Sequence, residues 1–208
     1  MTQRMMSITV HEQDLPPDVA FGPVVAVDTE AMGLNPQRDR LCLVQLSAGD
    51  GTCHLIRFRT TDFTAPNLVR LLEDPTVEKL FHFARFDLGV LQRYLGAQCR
   101  PVYCTKIASK LARTYTDRHG LKDLCRDLLG IELSKEMQSS DWGAPELSEA
   151  QLGYAANDVL HLHRLRERLD AMLAREGREG LARACFDFLG HRSALDLAGW
   201  AHVDIFAY

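Results

Sequence analysis

The feature that most constrains this chain is Val24-Val25-Ala26-Val27-Asp28-Thr29-Glu30, an apolar, β-branched run that ends in two carboxylates one residue apart. A run of this kind reads as a buried strand, and Gly33-Leu34-Asn35-Pro36 reads as its exit turn. Side chains on a strand alternate between faces, so Asp28 and Glu30 point the same way at one edge of a sheet. Neighbouring acids repel unless divalent cations lie between them, and hard carboxylate oxygens suit Mg²⁺ or Mn²⁺ better than zinc.

A chain of 208 residues that is 46% hydrophobic buries a full core, and its length predicts one domain. The core is expected over residues 22–176, with 177–208 as a packing or oligomerisation segment. No stretch approaches the roughly 18 apolar residues of a membrane span. The first ten residues lack the charged start and apolar run of a secretory signal, so the expected compartment is the cytoplasm. Six cysteines are scattered without a C-x-x-C pair, which predicts reduced, mostly buried thiols. The net charge of -4 disfavours a long electrostatic footprint on nucleic acid. With four of the 28 acids set aside as metal ligands, the remainder equal the 24 Lys and Arg, and bound cations would make the site electropositive. A short phosphate-bearing ligand fits this balance better than a duplex, and no membrane partner is expected.

Ser7 to Val10 predicts a first strand. Leu41 to Ser47 and Cys53 to Ile56 flank Ala48-Gly49-Asp50-Gly51, an Asp-Gly turn that signals a hairpin. Asn67 to Glu73 reads as a helix, Val77 to Phe83 as a strand, and Ala84 to Leu95 as an amphipathic helix stopped by Gly96. Asp87 lies in the first turn of that helix. It is either a favourable acid at a helix N-terminus, worth about 0.5 kcal/mol, or a ligand placed where a strand ends. Helices are expected over Thr105 to Arg113 and Leu121 to Leu129, with Lys106, Lys110, Arg113, Arg118, His119 and Lys122 as a basic stretch that is either a solvated face or a phosphate site. Ile131 to Glu146 reads as a loop, in which Trp142 either anchors the segment or offers a base a stacking surface. Ser148-Glu149-Ala150-Gln151 is a capping box opening a long helix to about Glu176, with Tyr154 and Asp158 sharing one face. The apolar tail from Leu181 to Tyr208 is expected to pack on its own subunit or on a neighbour.

Asp28, Glu30, Asp87, Tyr154 and Asp158, in this order, resemble the active site of the tyrosine-bearing (DEDDy) branch of the 3′-to-5′ exonucleases of the ribonuclease H-like fold. The histidine-bearing branch would carry His where this chain has Gly153. His82-Phe83-Ala84-Arg85-Phe86-Asp87, Gln138-Ser139-Ser140-Asp141-Trp142 and Gln151-Leu152-Gly153-Tyr154-Ala155-Ala156-Asn157-Asp158 resemble ribonuclease D. There is no room here for that enzyme's additional helical domains. Arg38 to Cys42, Cys104 to Leu111, Arg113 to Leu121 and Leu195 to Trp200 extend the resemblance to the nano-RNase C family of alphaproteobacteria over nearly the whole chain.

The resemblance implies a single α/β exonuclease domain with a mixed sheet flanked by helices. It also implies a metal-dependent exoribonuclease that cleaves diribonucleotides to 5′-mononucleotides, assembled as a ring-like homo-octamer. By similarity, Asp28 bridges two divalent cations, Glu30 and Asp158 complete the site that activates water, and Asp87 holds the second ion. A phenol of ordinary pKa near ~10 orients water better than it removes a proton, which is the role expected of Tyr154. Met32, Leu34, His82, Phe83, Arg85, Phe86, Gln138, Ser139 and Trp142 are the substrate-binding candidates. Of these, Leu34 either wedges between two bases or covers the core, and His82 bonds a phosphate, a sugar or the backbone. Three other readings stand beside this one: an exonuclease acting on longer RNA or DNA, a non-catalytic nucleic-acid-binding module of the same fold, and a structural cation site with the apolar tail as an assembly surface.

Overall fold

In the computed structural model the described residues are 7–134, 136, 137 and 139–207. Gln138 lies outside them. Six strands, β1 (Ser7–Glu12), β2 (Val24–Ala31), β3 (Leu41–Ser47), β4 (Thr52–Arg57), β5 (Glu78–Phe81) and β6 (Val102–Cys104), form one sheet in the order β1-β4-β3-β2-β5-β6. β3 runs antiparallel to both β2 and β4, and every other pairing is parallel. This is the mixed sheet expected from the sequence. Its hairpin depends on glycine at position 49, where φ is +78° and a Cβ would lie 2.6 Å from the His163 ring.

Eight segments surround the sheet: α1 (Pro66–Glu73), α2 (Ala84–Leu95), α3 (Thr105–Ala112), α4 (Leu121–Leu124) with its wider π-type continuation Cys125–Leu129, α5 (Glu149–Leu160), α6 (Leu162–Arg175), α7 (Glu179–Leu195) and a closing π-type turn, Asp196–Trp200. Gly96, with φ of +70°, ends α2 where the sequence places its stop. The Ser148–Gln151 capping box opens α5 with both reciprocal bonds made.

The structure departs from the sequence reading in three places. β6 has only three residues and is a strand because β5 pairs with it. The long helix expected to Glu176 breaks at His161, whose φ of -103° leaves α5 on β2, β3 and β4 while α6 turns onto α3 and β5. β5 stops at Phe81, so His82 and Phe83 form a turn, with Phe83 left-handed at φ +71°.

The core lies between sheet and helices, and β3 is buried along its whole length. Five cysteines are buried, Cys185 is exposed, and all six are free. α7 packs on α2, β6 and α3, with the Phe186 ring 4.6 Å from Tyr103. Beyond it Trp200, Val203, Ile205 and Phe206 remain exposed. No helix among the described residues is long and apolar enough to cross a membrane.

Candidate active site

Strand alternation divides the residues of β2 between two helices. Thr29 faces α2, where its hydroxyl donates to Asp87 Oδ1 at 2.7 Å. Asp28 and Glu30 face α5, and one oxygen each of Asp28, Glu30 and Asp158 lie within 4.8 Å of one another. Across the ladder, buried Gln45 sits in register with Asp28 and donates Nε2 to its Oδ2 at 3.3 Å. The register then shifts between Glu30 and Ala31, bending the strand where the acids end. Asp28, Glu30, Asp87, Tyr154 and Asp158 all line one cavity of about 370 Å³.

Burial and mutual repulsion dominate the electrostatics. Asp28 is held well above the carboxylate range by burial, then by Asp87, Asp158 and Glu30. Burial raises Glu30 to about 9, with Asp158 and Asp87 adding to it. Asp158 rises to about 7 through burial and Asp87, and Asp87 to about 7 through burial, against the Thr29 hydrogen bond. Without a countercharge such a cluster retains protons. Three oxygen-donor acids within 4.8 Å, with Asp87 lining the same cavity, are the donor set a hard divalent cation takes. Burial, then Asp158, Glu30 and Asp28, push the Tyr154 phenol above its ordinary pKa. It therefore keeps its proton near neutrality.

The structure sorts the remaining candidates. Leu34 is 89% exposed and lines the cavity, so it does not cover the core. Phe83 and Phe86 line the cavity as well, and Lys106 Nζ sits 4.1 Å from the centre of the Phe83 ring. His82 lines it with Nδ1 2.9 Å from Thr105 Oγ1. Burial, then Lys106, lower its pKa to about 3. Met32 and Ser139 are exposed but do not line this cavity.

Two of the substrate-binding candidates have partners within the fold. Arg85 is engaged elsewhere, donating to both oxygens of Asp196 at 2.5 and 2.7 Å and to the Ala201 carbonyl at 2.9 Å. Trp142 is 4% exposed and packs 6.1 Å from the Tyr154 ring, so it has no free face for a base. Its loop is fastened by Gln151, which donates to Ser140 Oγ and the Asp141 carbonyl.

Gly120, Leu121, Leu133 and Ser134 line the cavity without having been singled out by the sequence. Lys106 and Lys122 reach it from the basic stretch, which was the available signal. Arg113 of that stretch is instead buried and paired with Asp127 at 2.6 Å.

A profile described as 3′-5′ exonuclease matches residues 5–174. NrnC of Brucella melitensis, solved bound to pGG, is 57% identical over 98% of this chain and 99% of that one, with a TM-score of 0.94. The same protein solved with bound Mg²⁺ is 56% identical, with a TM-score of 0.93 over 98% of this chain and 100% of that one. Ribonuclease D of Gluconacetobacter diazotrophicus is 38% identical over 156 residues, which is 75% of this chain but only 39% of that enzyme.

Proposed function

Since the chain belongs to the 3′-5′ exonuclease family, in the branch of nano-RNase C, we propose that it hydrolyses the 3′-terminal phosphodiester of short RNA, diribonucleotides above all, and releases 5′-mononucleotides. The observation that carries this reading is the convergence of Asp28, Glu30 and Asp158 within 4.8 Å, on a cavity that also presents Lys106 and Lys122. These acids, with Asp87, would hold two divalent cations, Mg²⁺ or Mn²⁺. When bound, the cations would supply charge stabilisation for the attacking and leaving oxygens of phosphoryl transfer.

Asp28 would serve both cations, and Glu30 and Asp158 would complete one site. Asp87 would turn toward the other the oxygen that Thr29 leaves free. Tyr154, still protonated, would orient the attacking water through its hydroxyl rather than take a proton from it. Lys106 and Lys122 would pair with phosphate oxygens of the substrate. A cavity of about 370 Å³ suits a ligand of small-molecule size. NrnC bound to pGG and NrnC bound to Mg²⁺ support the choice of short RNA and of a divalent cation. The exposed apolar residues after Gly199 support self-association, and the homo-octamer is proposed on the family resemblance alone.

The test is hydrolysis of 5′-labelled RNAs from two to about twenty nucleotides, with DNA counterparts, in Mg²⁺, Mn²⁺ or EDTA. The expected result is cation-dependent turnover, fastest on the dinucleotide. Intact RNA of every length would refute the reading, and equal rates at all lengths would refute its substrate class.

A further inference from the structure

Hydrogen-bond bookkeeping around His82 fixes which ring nitrogen is free. The Thr105 hydroxyl has one hydrogen, and it donates it to the Phe81 carbonyl, with 3.1 Å between the two oxygens. His82 Nδ1 is 2.9 Å from the same hydroxyl oxygen and must therefore be the donor. A neutral imidazole carries a single N–H, so Nε2 is left as a bare acceptor. Nε2 makes no hydrogen bond within the described residues, and the ring lines the cavity that holds Asp28, Asp87 and Asp158.

An acceptor there has no use for a phosphate oxygen, which also accepts. The donors attached closest to a reacting phosphodiester are the sugar hydroxyls. We propose that His82 is a specificity residue that accepts a hydrogen bond at Nε2 from a ribose hydroxyl of the substrate, oriented for this by Thr105. The inference rests on the exonuclease reading above and adds which group of the substrate this residue reads. Of the alternatives the sequence leaves for His82, phosphate, sugar or backbone, the network favours sugar. A 2′-hydroxyl contact would distinguish RNA from DNA, and a 3′-hydroxyl contact would register the chain end.

The experiment compares three dinucleotides, all-ribose, 2′-deoxy and terminal 3′-deoxy, each with purine and with pyrimidine bases. Wild type, His82→Ala and His82→Gln are assayed for kcat/KM in Mg²⁺. In wild type, losing the hydroxyl that His82 reads is expected to cost about tenfold. In His82→Ala the same loss should cost less than twofold, because the ribose substrate has fallen to the deoxy level. Gln offers one donor and one acceptor and should restore part of the penalty. Each penalty is a ratio within one enzyme, so a uniform loss of active protein cancels.

Equal penalties in wild type and His82→Ala for both hydroxyls would overturn the proposal, as would a His82 effect that follows the base. Wild type that cleaves RNA with neither hydroxyl mattering would also overturn it while leaving the exonuclease reading intact. Wild type that cleaves no RNA would instead remove the exonuclease reading itself.

Discussion

Replacing Asp28 by Asn is expected to stabilise the cation-free protein while abolishing turnover. Were all the acids ionised, two full charges within 4.8 Å would repel by roughly 3 kcal/mol or more at an effective dielectric constant of about 20. Because burial and its neighbours hold Asp28 well above the carboxylate range, the folded protein avoids that repulsion by taking up protons the unfolded chain has released, and an Asn that needs none spares roughly 2 kcal/mol of this cost near neutrality. Asn also keeps an oxygen to accept from Gln45. For a chain of this size, ~2 kcal/mol corresponds to a rise of about 4–8 °C in Tm.

The assay is thermal unfolding with EDTA or with Mg²⁺. Wild type should gain about 2.7 kcal/mol from cation at one hundred times its Kd, whereas the variant should gain little. The pH dependence has a definite sign. Carboxyls whose folded pKa is raised bind protons that the unfolded chain has released, so cation-free wild type loses stability as pH climbs from about 4 toward about 9. The variant should show a shallower decline. An Asp28→Asn protein that melts below wild type in EDTA, or that responds to Mg²⁺ just as wild type does, would refute the repulsion argument.

Tyr154→Phe keeps the ring against Trp142 and removes only the hydroxyl. In steady-state kinetics, kcat should fall about 10²-fold with KM and Tm nearly unchanged. Leu34→Ala, at an 89% exposed position, should move stability by less than about 0.5 kcal/mol yet raise KM for a dinucleotide. Unchanged KM would remove Leu34 from the substrate site. Lys79 is fully buried, and its ammonium donates to the carbonyls of Asp74, Val77 and Arg100. Lys79→Met leaves those carbonyls without their donor and should cost about 3 kcal/mol in denaturant unfolding.

Much of this was legible in the chain because it is local. The β-branched run into Asp28, the Asp-Gly hairpin turn, and the ends of α2 each rest on signals within a few residues. What stayed hidden depends on partners far away in sequence. Three residues make a strand of β6 only because β5 lies alongside. The break at His161 carries neither Gly nor Pro and follows from two different packing surfaces. Arg85 reads as a substrate ligand until Asp196, 111 positions later, takes its guanidinium. Trp142 reads equally as a loop anchor or a stacking platform until the fold turns it inward on Tyr154.

That hidden pairing bears on how this chain differs from its longer relatives. The exonuclease profile ends at residue 174, and the residues after it return to the first turn of α2, the turn that carries Asp87. Ser193 donates to the Arg85 carbonyl, Arg85 grips Asp196 and the Ala201 carbonyl, and Gln37 from the loop after β2 donates to the Leu197 carbonyl. The left-handed Gly199, at φ +103°, lies within the segment these contacts hold. They enclose a second cavity of about 720 Å³, which shares Leu34, Phe83 and Phe86 with the cavity of the acids. A charged fork in a part-buried setting fixes orientation as well as proximity. The segment beyond the profile therefore braces the turn that carries Asp87 and walls the space beside it, in a chain whose match covers only 39% of the ribonuclease D it resembles.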